Sequence, residues 1–291
     1  MKVLNYGSLN IDLVYRLDHL VLPGETQAAE RFDRFCGGKG LNQSIALARA
    51  GAKTLHAGKI GPDGEMLLSA LREAGVDVSP VTVGQEPSGH AVIQVERSGQ
   101  NAIIIYAGAN GCISEKEIDA ALSRMEKGDW LLLQNEINSI PAIIRKAKAR
   151  GLRIAFNPAP MDEGVKTYPL DLIDLFVVNE TEAAALTGLA EEADALTAME
   201  QTYPSAIHVV TLGSRGSLCS AEGQRYAVEA KKVQAVDTTA AGDTYIGYFL
   251  ALLMEGKSVD VCMEMATRAS AIAVSRMGAA PSIPLRSEAE A

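Results

Sequence analysis

Basic surplus is what this sequence most plainly lacks. Its 291 residues hold 27 Lys and Arg against 36 Asp and Glu, a formal net charge of −9. Such a chain has no excess cation to neutralise a phosphate backbone, so no nucleic-acid partner is expected. Any anionic substrate must be held by local features, not by the global field. Cysteine is scarce as well: Cys36, Cys112, Cys219 and Cys262 are scattered, with no CxxC pair. That excludes a disulfide framework and points to reduced thiols in a cytoplasmic protein. The four histidines (His19, His56, His90, His208) form no HExxH or Cys/His cluster of the transition-metal kind. The longest uncharged apolar stretch runs roughly from Thr244 to Met254, too short to span a bilayer, so no membrane partner is expected. The start, MKVLNYGSLNID, has no signal-peptide core and meets Asp12 early. There is no long Pro- or Ser-rich linker, no internal repeat and no low-complexity run.

What is present is a core-forming chain, 47% hydrophobic, that alternates between two periodicities. Short apolar runs bounded by turns read as buried parallel strands: the start at Val3, then Leu131 to Leu133, Ile154 to Phe156, Leu175 to Val178 and Val209 to Leu212. Between them lie helices. Ser114 with Glu117 forms a capping box that opens a helix to about Met125. A second runs from Ile140 to Arg150 and stops at Gly151, and a third from Val259 to Met277 ends at Gly278. This alternation predicts a three-layer α/β/α fold around a mainly parallel sheet, one unit over 1–291. Two pieces break the pattern, about 12–36 and 88–107. The second contains a hairpin around Arg97-Ser98-Gly99-Gln100. Antiparallel insertions of this kind predict a small separate sheet serving as a lid, a dimer surface or both; an ordinary extension of the main sheet is the alternative.

Five segments carry polar or glycine residues where chemistry would need them. AVDTTAAGDTYIG places Ala240, Ala241 and Gly242 before Asp243 at a helix start. Small residues let N–H groups converge on an anion there. A carboxylate beside a phosphate makes sense if it takes the proton of an attacking alcohol. Taken alone, Asp243 also fits a first-turn acid favoured by the helix dipole. FCGGKGLNQSIALARAG sets Gly37, Gly38 and Gly40 before an amphipathic helix, with Asn42 supplying an amide. It is neither a P-loop nor a dinucleotide fingerprint, and a glycine-rich turn explains it equally well.

GSLNID brings Asn10 and Asp12 to the expected end of the first strand, where α/β sheets bind ligands. A carboxylate with a carboxamide suits a polyhydroxylated ligand; a plain turn is the commoner reason for such residues. VVNETEAAALTG spaces Asn179 and Glu182 as either an N-cap with its glutamate or a place for magnesium-bound phosphates. VVTLGSRGSL gives a glycine-bearing turn after a strand, with Thr211, Gly213, Ser214 and Gly216.

Together and in this order, the N-x-D start, GGKG-x-NQ, NPAP at Asn157 to Pro160, NETE, TLGSRG, DTTAAGD and the closing GAAPSIP resemble the ribokinase-like (PfkB-type) carbohydrate kinase family over essentially the whole chain. The resemblance implies transfer of the ATP γ-phosphoryl group to a sugar hydroxyl, with Asp243 as base and the amides of Ala240 to Gly242 as anion hole. It implies sugar contacts from Asn10, Asp12, Gly38, Lys39, Asn42 and Glu136. For ATP it implies Asn179, Thr211, Gly213, Ser214, Gly216 and Gly242, with Glu182 organising Mg2+ through water. It further implies a monovalent cation such as K+ near Asp237, Thr239, Ala273, Arg276, Gly278 and Ser282, and a homodimer joined through the lid sheets. PGET (Pro23 to Thr26), GGKGLNQ and AGAN (Ala107 to Asn110) resemble the ribose-phosphorylating members. Kinases of deoxyribose, fructose or adenosine stand as alternatives, and a non-catalytic sugar- or nucleotide-binding regulator is disfavoured by the intact Asp243. Ala240 departs from the glycine many members carry, with its amide still free to act. Leu41 replaces a smaller residue frequent in the family and would reshape the sugar pocket slightly.

Overall fold

Alternate residues of one strand enter two different cores, which fixes the layering. In β8 (Trp130–Gln134), Trp130 and Leu132 join one buried apolar cluster while Leu131 and Leu133 join another. Both faces of the sheet are therefore covered, and runs that look continuously apolar in sequence are what such strands require. The computed structural model describes residues 1–291.

The main sheet has nine strands in the order β13-β12-β11-β10-β9-β8-β1-β4-β5. These are β1 (Val3–Tyr6), β4 (Thr54–Ile60), β5 (Val81–Val83), β8, β9 (Arg153–Asn157), β10 (Leu175–Asn179), β11 (Ile207–Thr211), β12 (Ser217–Ala221) and β13 (Gln224–Val228). Pairing is parallel throughout except for β12 and β13, which form an antiparallel edge. Helices α1 (Lys39–Arg49), α2 (Glu65–Glu73), α7 (Ala241–Met254) and α8 (Val259–Val274) supply the first core. Helices α3 (Glu115–Leu122), α4 (Ile140–Ala149), α5 (Glu180–Thr187) and α6 (Glu192–Thr202) supply the second. A short α9 (Arg286–Glu290) closes the chain. This is the expected three-layer α/β/α arrangement. No helix is long and apolar enough to cross a membrane.

The second sheet has the order β3-β2-β6-β7, with β2 (Asn10–Leu17), β3 (Arg31–Gly37), β6 (Gly89–Glu96) and β7 (Asn101–Tyr106). Its outer pairs are antiparallel, as expected, but the central pair β2–β6 is parallel, with Asn10 opposite Gly89. Asn10 and Asp12 therefore begin a strand of the small sheet instead of ending β1, which stops at Tyr6. Gly7 to Leu9 carries the chain from one sheet to the other. Two helices end earlier than their periodicity predicts. The Ser114/Glu117 box is formed, yet α3 stops at Leu122; α8 stops at Val274, and the segment to Gly278 is turn and bend, ending where Gly278 N donates to Asp237.

From β1 the chain moves outward to β4 and β5 in one direction, and from β8 to β13 in the other. Crevices at the carboxyl ends of strands form where the order reverses. The ends of β1, β8, β9, β10 and β11 all open on the same side, and the small sheet stands over that side.

Candidate functional site

One cavity of about 990 Å³ occupies this crevice, between the strand ends, the first turns of α1 and α7, and the small sheet. Its walls include Asn10, Asp12, Gly38, Lys39, Asn42, Glu136, Asn179, Glu182, Thr211, Asp237, Thr239, Gly278 and Ala240 to Asp243. Residues from Asn10 to Gly278, nearly the whole length of the chain, are thus brought to one place.

The first turn of α1 is held down by Ser8. Its carbonyl accepts from Leu41 N at 3.0 Å, its hydroxyl accepts from Gly40 N at 3.2 Å, and the hydroxyl also bonds the Glu136 carboxylate. A Cβ on Gly40 would stand 2.4 Å from Ser8 N, so this helix start fits only glycine. Lys39 N donates to Glu136 Oε2 at 3.0 Å. Burial alone would lower the Lys39 ammonium, but the carboxylates of Asp243, Glu136 and Glu182 outweigh it and hold its pKa up. Glu136 and Glu182 are raised by desolvation, with their hydrogen bonds and Lys39 pulling the other way.

Asp243 sits in the first turn of α7 and is only 8% exposed. Its Oδ2 accepts from Asn42 Nδ2 at 3.0 Å and its Oδ1 from Gln43 Nε2 at 2.9 Å. The amides of Ala240, Gly242 and Asp243 donate to no acceptor in the protein. That leaves a set of open donors at a helix N-terminus beside a fixed carboxylate. Ala240 reaches this geometry at φ 61°, in the left-handed region that favours glycine. This alanine therefore keeps its amide free but strains its backbone.

Asp12 behaves differently from the other three carboxylates. It lines the cavity and accepts no hydrogen bond from the protein. Burial, helped by the nearby Glu136 charge, pushes its pKa up to about 6. Beside it, Asn10 Oδ1 accepts from Asn110 Nδ2 at 2.7 Å, and Asn42 Oδ1 is buried without a partner. Acceptors lacking donors are what a polyhydroxylated ligand would satisfy.

Asn179 and Glu182 form the capping box of α5: Glu182 N donates to Asn179 Oδ1 at 2.8 Å, and Asn179 N donates to Glu182 Oε2 at 3.0 Å. Glu182 Oε2 also accepts from Asn157 Nδ2 at 3.3 Å. With its oxygens engaged, and with no cluster of three acidic, His or Cys groups in the molecule, Glu182 fits an outer partner acting through water. A divalent ion would ride on nucleotide phosphates. Thr211 lines the cavity, whereas Gly213, Ser214 and Gly216 do not. Gly216 is explained locally: its φ is 106°, and a Cβ there would lie 1.9 Å from Val228 O.

Of the six positions grouped for a monovalent cation, Asp237, Thr239 and Gly278 line the cavity and Ala273, Arg276 and Ser282 do not. Asp237 takes Thr239 N on Oδ1 and Gly278 N on Oδ2, each at 2.9 Å. Desolvation would raise this carboxyl, but those bonds hold it below the usual range. Ala273 O accepts from Arg276 N, Arg276 pairs with Glu288, and Ser282 Oγ donates to Ala279 O.

The sequence reading missed Gln43, Gln134, Asn5 and Asn110, although Gln43 and Asn110 lie in the quoted GGKGLNQ and AGAN segments. All four are buried. No local pattern marks an amide in an apolar strand as part of a site.

Known proteins resemble this chain over its whole length. The chain is 38% identical over 291 residues to a ribokinase of Haemophilus influenzae, covering 97% of this chain and 95% of that one. The crystal structure of a Cryptococcus neoformans ribokinase in complex with ADP superposes with a TM-score of 0.89 at 32% identity, covering 99% and 98% of the two chains. An Arabidopsis thaliana ribokinase complexed with ribose and ATP gives 0.88 at 32% identity, covering 99% and 97%. The family model of pfkB carbohydrate kinases matches residues 1–286, and this chain belongs to that family.

Proposed function

We propose that the chain transfers the γ-phosphoryl group of ATP to the 5-hydroxyl of D-ribose. The observation that carries this reading is the pairing of two unlike carboxylates in one cavity. Asp12 stands unpartnered on the small sheet, and Asp243 is clamped by two amides beside open helix N–H groups. Asp12 suits two hydroxyl protons of a furanose cis-diol, with Asn10, Asn42 and the backbone at Gly38 completing the sugar contacts. The likeness to enzymes named ribokinase, one of them solved with ribose and ATP, favours ribose within the family.

Asp243 takes the proton of the primary hydroxyl as its oxygen attacks phosphorus. The proton goes to a carboxylate oxygen, the new O–P bond forms, and the bond to the β-phosphate oxygen breaks to leave ADP. The transition state is loose, so positioning and charge stabilisation dominate. The open amides of Ala240, Gly242 and Asp243 face the developing charge, whereas the Ala241 amide, expected in the anion hole, already donates to Thr238 O; Lys39 adds a cation. Glu182 would serve as an outer partner, through water, of a magnesium ion that would supply charge neutralisation when bound with the nucleotide. The nucleotide lies along Asn179 and Thr211. The small sheet acts as a lid that excludes water, without which hydrolysis would compete with transfer. Its exposed face, with Ile104 at 66% and Phe32 at 48%, supports a homodimer joined lid to lid. Four unpaired cysteines accord with the cytosol.

The test has two arms. Asp243→Asn should keep sugar and ATP binding and lower turnover by at least ~10²-fold, as loss of a general base does. Turnover within a factor of two of wild type sinks the assignment. A panel of ribose, 2-deoxyribose, fructose, fructose 6-phosphate and adenosine should show the highest kcat/KM for ribose. Another substrate ahead by tenfold overturns ribose and leaves the kinase standing.

A further inference from the structure

Beneath the cavity floor lies a set of buried side-chain amides, of which only Asn157 reaches the cavity. Gln134, the last residue of β8, uses one amide nitrogen for two bonds: Nε2 donates to Gln43 Oε1 at 2.6 Å and to Asn5 Oδ1 at 2.9 Å. Gln43 donates from Nε2 to Asp243 Oδ1 at 2.9 Å and to Asn157 Oδ1 at 3.3 Å. Asn157 turns its own Nδ2 to Glu182 Oε2. At the other end, Asn5 Nδ2 donates to Gly40 O and Ser44 Oγ, and Ser44 bonds His56 Nδ1 at 2.7 Å. Burial pushes His56 down to about 3, so its ring is neutral and can accept.

The sense of every bond in this set follows from its two carboxylates. Gln43 must show hydrogens to Asp243, and Asn157 must show hydrogens to Glu182, because a carboxylate only accepts. Gln43 Oε1 must then meet a donor, and the only group there is Gln134. Gln134 in turn presents both hydrogens and leaves its Oε1 buried without a partner. A buried unsatisfied carbonyl is costly, so this orientation is held against a local penalty.

We propose that Gln134 is a positioning residue for phosphoryl transfer: its amide, held by Asn5 Oδ1, donates to Gln43 Oε1 and so forces Gln43 to aim its NH2 at Asp243, fixing the carboxylate against the open amides of α7. If Gln43 turned over, its carbonyl would face the carboxylate and push it out of place. A displacement of about 1 Å at a reacting group can cost ~10²-fold in rate. The inference rests on Asp243 being the base.

Gln134→Met keeps the size and removes both donors. The expected result is a kcat lower by at least ~10-fold, with the KM for sugar and for ATP each within about twofold of wild type. Gln134→Glu adds a signature that mere loosening would not give. While protonated, the introduced carboxyl can still donate to Gln43; once ionised, it forces Gln43 to turn. The ratio of variant to wild-type kcat should fall by at least ~5-fold between pH about 6 and about 8.5 as this buried acid ionises. The titratable groups tied to this set are Asp243 on α7 through Gln43, Glu182 on α5 through Asn157 and His56 on β4 through Asn5 and Ser44, with Lys39 on α1 and Glu136 after β8 acting on the same carboxylates, all present in both proteins. A folded Gln134→Met with kcat within twofold of wild type overturns the inference, as does a sugar KM rising in step with the loss. Should the Met variant not fold, a pH-independent ratio for Gln134→Glu overturns it. Asp243→Asn run alongside separates the two readings: a dead Asn variant with unaffected Gln134 variants removes only the inference, while an active Asn variant removes the base.

Discussion

Asn110 Nδ2 donates to Asn10 Oδ1 at 2.7 Å, so Asn10 can show the cavity only its amide hydrogens. Asn110 itself is fixed by Leu9, whose N–H donates to its Oδ1 at 3.0 Å. The proposed sugar subsite therefore pairs a donor, Asn10, with an acceptor, Asp12, two positions along one strand. A hydroxyl that donates to Asp12 can accept from Asn10, which is the pattern a vicinal diol offers.

The role of Asn110 follows from that order. Asn110→Asp keeps the shape and places an acceptor against Asn10 Oδ1, so Asn10 must turn and show its carbonyl to the sugar. The sugar KM should rise by at least ~10-fold while the ATP KM stays near wild type, since buried groups mismatched to a hydroxyl are left unpaired. Steady-state kinetics in both substrates checks it; a sugar KM within twofold of wild type rules it out.

Asp12 gives a pH dependence whose sign is fixed by burial. Its pKa is pushed up to about 6, above the ordinary 3.8. The folded state therefore resists ionising it. The cost to stability is absent below the unfolded value, grows as pH rises between the two, and is full above about 6. Sugar hydroxyls need the ionised form, so the sugar KM should climb as pH falls below about 6, with the ATP KM less affected. Asp12→Asn should remove the climb, bind sugar poorly and melt at a higher temperature than wild type near neutral pH. A sugar KM flat across this range, or a lower melting temperature for the variant, contradicts the account.

Most of the layering was legible because it is periodic. The runs at Leu131, Ile154, Leu175 and Val209 are apolar on consecutive residues, and only a strand covered on both faces needs that. The Ser114/Glu117 box and the stop at Gly151 are local chemistry and sit where expected. What escaped reading is non-local. Whether Asn10 ends β1 or begins β2 depends on pairing with Gly89, 79 positions on, and on β3. The parallel β2–β6 pair has no hairpin to announce it. Gln134 reaches Gln43 across 91 positions, and Gln43 reaches Asp243 across 200. A single amide at the end of an apolar strand carries no sign of either partner. At Asn179 and Glu182 the N-cap reading is the one seen, and the capping box they form also lines the cavity.

Ala240 and Gly242 predict opposite outcomes for exchanges of the same methyl group. Ala240→Gly relieves a residue held at φ 61° and should raise stability by about 0.5–1 kcal/mol, after allowing for the extra freedom of glycine when unfolded, with activity kept. At Gly242 an added Cβ meets nothing within 4 Å, so Gly242→Ala should fold as well as wild type. Its methyl would nonetheless enter the space over the open amides, and kcat should fall by at least ~10-fold. Thermal melts and turnover on both variants test the pair. A fully active Gly242→Ala would mean that the transferred group lies elsewhere.

Asp237 links two segments that flank the first turn of α7. Its Oδ1 takes Thr239 N and its Oδ2 takes Gly278 N, while the amides of Val236 and Asp237 both reach Val274 O at the end of α8. Each carboxylate oxygen keeps a lone pair, and the group is held ionised by its bonds against desolvation. A monovalent cation such as K+ bound there would tighten 237–239 against 278 and so steady the start of α7 without touching sugar. K+ should then raise kcat severalfold over tetramethylammonium at fixed ionic strength. It should also raise the melting temperature of the protein without substrates, because an ion that binds only the folded state stabilises it by mass action. In Asp237→Asn one bond must be lost, since an amide nitrogen would face an N–H, and both responses to K+ should vanish. Equal rates and equal melting temperatures in the two salts for the wild-type protein would remove the cation from this site and leave Asp237 as a purely structural clamp.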